Sequence, residues 1–227
     1  MAFGKGLRKL DKVTKVQIVK KKRKPNVVLQ RPIALKLVTT LRYSEPIILK
    51  PGIAGISAYH VFSLNGMYDP DITGVFGHQP RGFDQLMALY EHYVVIGAKV
   101  QFDWATDQTV DPITVVLSQR AGNTGYAGVS DVMEYNNTIV MVRGRFNSGG
   151  GNRMVMKCNP SKFLGRSKPL ADPQLKGDIN NNPQESSYLH INMHYTDPNI
   201  LGIGSVIGHV TIDYITAFIE PKPVGES

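Results

Sequence analysis

Residues 94–104 read VVIGAKVQFDW. Val94, Ile96, Ala98, Val100, Phe102 and Trp104 alternate with Lys99, Gln101 and Asp103, which is the period of a β-strand with one apolar and one polar face. The stretch is therefore expected to run along the wall of a core, with even-numbered residues inside.

The same period recurs on both sides of it. In residues 33–43, Leu35, Leu37, Thr39, Leu41 and Tyr43 share one face while Lys36, Thr40 and Arg42 share the other. Residues 57–64 form a second apolar run, closed by the turn signal Asn65-Gly66. Residues 113–118 and 139–145 continue the series, the latter closed by Gly149, Gly150 and Gly151, and residues 153–158 add a short strand. Further on, Leu189, Ile191, Met193 and Tyr195 alternate with His190, Asn192 and His194, read as a polar outer face. Residues 206–219 place Val210, Ile212, Tyr214 and Phe218 on one side. Two short helices are predicted in the connections, over 83–92 with Phe83, Leu86, Met87 and Tyr90 on one face, and over 130–134 with Ser130 as cap.

Eight strands with no helix long enough to cross between parallel neighbours predict antiparallel pairing. The expected fold is all-β: a single eight-stranded antiparallel jelly-roll sandwich, whose strands pair across the whole chain and which tolerates long insertions. Residues 159–187 are such an insertion, with Pro160, Pro169, Pro173 and Pro183 and no clear period. A structureless loop of that length is usually functional, and it is expected to pack on neighbouring molecules together with residues 66–79 and 121–137. No internal repeat is found.

Charge divides the chain in two. The first 31 residues carry 11 Lys and Arg against Asp11 alone, a net +10, while residues 32–227 carry 15 bases and 17 acids, a net −2. The expected organisation is a largely disordered basic arm, 1–31, ahead of one jelly-roll domain, 32–227. A like-charge block such as Lys20, Lys21, Lys22, Arg23 and Lys24 cannot pack without partners and stays solvated until a polyanion neutralises it. Lys5, Arg8, Lys9, Lys12, Lys15, Lys20, Lys21, Lys22, Arg23, Lys24 and Arg31 are the nucleic-acid-binding candidates. Lysine dominates and Phe3 is the arm's one aromatic residue, which suits point-charge neutralisation better than base reading or stacking. The run 20–24 before Pro25 also fits a nuclear-import signal. A solubility tail is the bland alternative.

Catalytic and metal patterns are weak. His190 and His194 stand four residues apart on a strand, about 13 Å between Cα atoms, too far for joint Zn²⁺ ligation. His60, His78, His92 and His209 show no ligand spacing. Cys158 alternates with Met154 and Met156, as a core residue does. Asp103, Asp107, Asp111 and Asp197 are thin candidates for a Ca²⁺ site. Nucleophile-elbow and phosphate-loop motifs are missing, so an enzyme is not expected and no cofactor is implied. A single cysteine excludes an intrachain disulfide and fits a reducing compartment. No run reaches the ~20 apolar residues of a membrane span, and residues at the start lack the apolar core of a secretory signal, so a soluble chain made in the cytosol is expected.

Residues 78–102, HQPRGFDQLMALYEHYVVIGAKVQF, carry a more specific signal. Through Pro80, Arg81, Gly82, Phe83, Asp84, Tyr90, Tyr93, Val95, Lys99, Val100 and Phe102, this segment resembles the capsid proteins of small circular single-stranded DNA viruses of the circovirus-like group. The resemblance implies a jelly roll that assembles as sixty copies into a T=1 icosahedral shell, packages a single-stranded genome, and passes through host cytoplasm and nucleus before residing in the virion. It also implies a host import receptor and a cell-surface receptor as partners. The arm is shorter and richer in Lys than is usual in that group. A satellite-like RNA virus coat protein and a non-viral nucleic-acid-binding β-sandwich therefore remain alternatives.

Overall fold

The computed structural model describes residues 33–50, 57–74, 77–106, 112–126, 129–135, 137–143, 152–195 and 204–223, all within one unit, Pro32–Ser227. Among these residues the strands are β1 (Lys36–Leu49), β2 (Ala58–Ser63), β3 (Tyr90–Thr106), β4 (Ile113–Arg120), β5 (Thr138–Arg143), β6 (Asn152–Cys158), β7 (Tyr188–Tyr195) and β8 (Val206–Pro221). Three short helices accompany them: α1 (Phe83–Met87), α2 (Val129–Met133) and α3 (Pro160–Phe163).

The strands form two four-stranded sheets, ordered β1-β8-β3-β6 and β2-β7-β4-β5, and every pair is antiparallel. First pairs with last, second with seventh, third with sixth and fourth with fifth. That nesting is the jelly roll expected from the sequence. Between the sheets lies an apolar core led by Tyr43, Phe62, Phe83, Tyr93, Phe102, Tyr214 and Phe218, all fully buried.

Two buried tyrosine hydroxyls join the layers. Tyr214 on β8 donates to the Ser63 carbonyl at the end of β2 at 2.6 Å, and the Tyr93 hydroxyl on β3 accepts from the Met67 amide at 3.0 Å. Each satisfies a polar group that would otherwise cost about 1–3 kcal/mol to bury. Burial pushes the Tyr214 phenol well above its ordinary range, so it stays a donor.

Several elements differ from expectation. The inward face of 94–104 is not continuous, because β3 slips register against β8 between Val95 and Gly97. Ahead of the slip Tyr93 and Val95 enter the main core; after it Ala98, Val100, Phe102 and Trp104 do. Val94 instead faces outward, in a second small core with Leu175, Ala217 and Ile219. A bulge of one residue exchanges the two faces. The helix over 83–92 stops at Met87, since Tyr90, Glu91 and His92 are drawn into β3 opposite the end of β8. Ser130 lies inside α2, one residue past its start, and is not its cap. β1 runs on to Leu49 through Pro46, which an edge strand accommodates. The Gly149, Gly150, Gly151 turn lies outside the described residues.

Residues 159–187 also depart from the expected structureless loop. They hold α3, capped by Asn159, and a 3₁₀ turn at Pro173–Leu175, and they place Leu164, Leu170 and Leu175 over Val94, Ala217 and Ile219. This insertion thus covers part of its own sheet. It meets the loop after β2 through Asn182, whose Oδ1 accepts from the Tyr68 amide at 3.0 Å and the Asp69 amide at 3.2 Å. Gly177 exchanges backbone hydrogen bonds with Tyr93 at 2.9 and 3.0 Å, and a Cβ there would stand 2.3 Å from the Tyr93 ring. Gly177→Ala should therefore destabilise the domain by about 1–3 kcal/mol, whereas Gly122→Ala, with nothing within 4 Å, should be near neutral. Equal urea midpoints for the two variants would remove Gly177 from this role.

Candidate nucleic-acid interface

All eleven basic candidates of the arm, Lys5, Arg8, Lys9, Lys12, Lys15, Lys20, Lys21, Lys22, Arg23, Lys24 and Arg31, lie outside the described residues. So do Asp107, Asp111 and Asp197. Asp103, the remaining carboxylate of that set, turns to Arg153 at 2.5 Å and Gln101 at 2.6 Å, and this pairing holds it below the usual carboxylate range. Among the described residues no group of three or more His, Cys, Asp or Glu side chains is placed to hold a metal ion.

The chain enters the domain through β1, at the edge of the sheet β1-β8-β3-β6. The outer face of that sheet is built from the alternate residues that the core rejects. Register sets Arg42 opposite Asp213, Asp213 opposite Lys99, and Lys99 opposite Lys157, one transverse row across four strands. Arg42 takes Asp213 with two contacts, Nε to Oδ1 at 2.6 Å and Nη2 to Oδ2 at 3.1 Å. Two residues along, Ser44, Thr211, Gln101 and Val155 form an uncharged row, and beyond it stand Pro46, His209, Asp103 and Arg153.

Other titratable groups serve the loops. His60 Nε2 lies 2.6 Å from Asp71 Oδ1, a pair that no ligand spacing marks in the sequence, since it joins β2 to the connection after it. The same carboxylate oxygen accepts from the Thr73 amide at 3.2 Å and the Gly74 amide at 2.8 Å, so Asp71 is occupied in holding that connection against β2. Glu45 is held above its usual range by loss of water and by the neighbouring Asp71, and it receives the Tyr43 hydroxyl. His78 lies against the Tyr43 ring at 4.6 Å. His92 and Lys176 both pair with Glu220. Cys158 is buried in the core, as expected, and its thiol is pushed up to about 12 by burial.

The second sheet departs most from expectation. His190, Asn192 and His194 are buried, not solvent-facing. Sequence alternation separates the faces of a strand but cannot tell which of them is covered. Residues 121–126 fold over His190, whose Nε2 lies 2.7 Å from the Gly122 carbonyl, while Tyr126 stacks edge-on at 6.1 Å. Beside it Arg120 is sandwiched between the rings of Tyr126 at 4.0 Å and Tyr135 at 3.7 Å, a double cation–π contact. Among the described residues neither imidazole nitrogen of His194 has a hydrogen-bond partner, and burial pulls its pKa down to about 4.

No family model matches the chain, and no curated protein matches it. Among solved structures it is similar to one of Desmodium yellow mottle tymovirus, at 13% identity and TM-score 0.40, covering 88% of this chain and 97% of that one. A structure of Mud crab tombus-like virus gives 12% identity and TM-score 0.45, covering 98% and 96%. A semi-empty particle of giant freshwater prawn Macrobrachium rosenbergii nodavirus gives 8% and 0.45, covering 97% of each. All three scores lie below 0.5, and the functional reading rests on the chain's own sequence and geometry.

The buried histidine carries a pH prediction. His194 is neutral when folded, and the unfolded chain takes up the proton below its ordinary pKa near 6.5. The stability it contributes is complete above that value and is lost as pH falls towards about 4. The loss is on the order of 3 kcal/mol. Thermal unfolding of His194→Phe should accordingly fall less steeply from pH 6.5 to 4 than that of the native chain; identical slopes would show that His194 does not titrate on unfolding.

Proposed function

We propose that this chain is a viral capsid subunit in which the jelly roll is the tile and residues 1–31 hold a single-stranded genome. The observation that carries this reading is the separation of charge: +10 in the first 31 residues and −2 in the rest, with the basic segment leading into an edge strand of a closed two-sheet domain. A near-neutral tile can approach its copies without mutual repulsion, while the basic segment concentrates a polyanion. Binding through the eight lysines and three arginines of that segment would release counterions, carry little sequence preference and weaken steeply with salt. The role is structural, not enzymatic.

The resemblance of residues 78–102 favours the circovirus-like group, and with it a T=1 shell of sixty copies, single-stranded DNA as cargo, nuclear import through Lys20, Lys21, Lys22, Arg23 and Lys24, and host import and cell-surface receptors as partners. Contacts between copies would be heterologous and close around symmetry axes. Each of the three long connections offers an exposed large apolar side chain to such contacts: Tyr68, then Met133 and Tyr135, then Phe163.

Negative-stain electron microscopy of the purified protein, with its 260/280 nm absorbance ratio, tests the proposal. Uniform small spheres with a nucleic-acid-like ratio are expected. A monomer that binds DNA without forming particles would favour the non-viral binding protein, and RNA as the sole cargo would favour the satellite-like coat protein. Deleting residues 1–24 should leave folded subunits that purify without nucleic acid; unchanged copurification would refute the role of the arm.

A further inference from the structure

From the register of the outer face of β1-β8-β3-β6 we infer a second nucleic-acid contact, in which Lys99 and Lys157, flanked by Arg42, bind backbone phosphates of the packaged single strand. This rests on the proposed genome-binding role and adds to it an orientation: this sheet, not β2-β7-β4-β5, looks onto the polymer.

Lys99 and Lys157 are directly opposite each other on adjacent strands and both are exposed. Like charges in that position destabilise a sheet unless an anion lies between them. The nearest carboxylate in the row, Asp213, is engaged by Nε and Nη2 of Arg42, and neither lysine forms an ion pair with a side chain among the described residues. The other basic group beside them, Arg153, is held by Asp103. Two ammonium groups therefore stand uncompensated at the middle and far edge of a four-strand surface.

The surroundings suit a polymer backbone. Arg42 to Lys157 spans three strand spacings, about 14 Å, so a strand of nucleic acid laid along the row meets positive charge at both ends and in the middle. The face also carries Lys36, which gives five basic side chains against the carboxylates of Asp103 and Asp213. Arg31 stands five residues before Lys36, so the basic segment and the row are continuous along the chain. The opposite sheet offers no equivalent among the described residues. Its Arg120 is buried between two tyrosines, and the polar residues of β7 are covered. Lysine ammonium groups recognise phosphate as point charges and do not read bases, so oligodeoxythymidine and oligouridine of equal length should be bound alike through this row.

The test compares the full-length native protein with Lys99→Gln/Lys157→Gln, titrating each oligonucleotide between 50 and 200 mM salt. Each phosphate contact on a single strand contributes about 0.7 to the slope of log K against log salt. The double variant is expected to lower that slope by about 1.4 with both oligonucleotides, while Lys162→Gln/Lys168→Gln on the 159–187 insertion leaves it unchanged. Lys157→Glu, which sets an opposite charge across from Lys99, should melt no lower than the native protein and still lose affinity. A native slope in the double variant would overturn the row and leave the arm's role intact; no binding by the native protein would overturn both. Loss of particles with a native slope would place the lysines at a contact between copies and overturn the assignment.

Discussion

The pairing of β3 with β8 is the constraint on which the domain depends. These are the two longest strands, they occupy the middle of one sheet, and they stay in register from Tyr90 opposite Pro221 to Thr106 opposite Val206 with a single slip at Ile96. Because side chains alternate across a strand, that slip decides which residues reach the core and which reach the surface. Below it, Val100, Phe102 and Trp104 fill the sandwich and Lys99 is exposed; above it, Tyr93 points inward and Val94 is left needing cover. Removing the bulge would turn one half of β3 inside out. The long insertion after β6 answers the second half of this problem, since Leu164, Leu170 and Leu175 supply the cover that Val94, Ala217 and Ile219 require.

Loops laid over the sheets carry backbone polar groups that no ladder satisfies, and these are met by a small set of side chains. Asn182 serves Tyr68, Asp69 and the Asp69 carbonyl, and Asn65 serves the Ser187 amide and the Glu185 carbonyl. Tyr93 stands at the junction, with its ring in the core against Phe83, its hydroxyl on the Met67 amide and its backbone on Gly177. Such residues fix connections that have no ladder of their own. Their partners are more than a hundred positions distant for Asn65 and Asn182, so ordering them depends on prior closure of the sheets.

Much of this was legible in residues that obey one simple rule. Alternation located the eight strands, because each has a core side whose apolar residues repeat at two. It failed where a strand has two covered faces or changes face. β7 shows the first case: Leu189, Ile191 and Met193 look inward as read, yet His190, Asn192 and His194 are covered too, and nothing local in NMH or LHI says that residues 121–126 will fold across them. β3 shows the second, for a bulge at Ile96 leaves an apolar residue where the pattern also asks for one. The helix beginning at Phe83 was right in kind and wrong in length, since Tyr90 and Tyr93 satisfy a helical face and a β-strand equally well and the pairing partner on β8 settled it. The proposed contact residues on the sheet were not legible at all, because Lys99 and Lys157 become neighbours only through register between strands 58 positions apart.

The distribution of charge fits the two demands that the proposed role would place on the chain. Tiles must pack closely, so their surface charges are largely neutralised in place, as in Arg42 with Asp213, Arg153 with Asp103, Arg166 with Glu185 and Asp172, and Lys176 with Glu220. On the proposed role a polyanion must also be held, which calls for positive charge left unneutralised, and the first 31 residues carry a net +10. An opposed lysine pair on a face whose two arginines are both paired with carboxylates is an exception to the first demand. On the proposed genome-binding role, such a pair is what a folded surface would offer a polymer, fixed charges at a defined spacing that a phosphate backbone can neutralise.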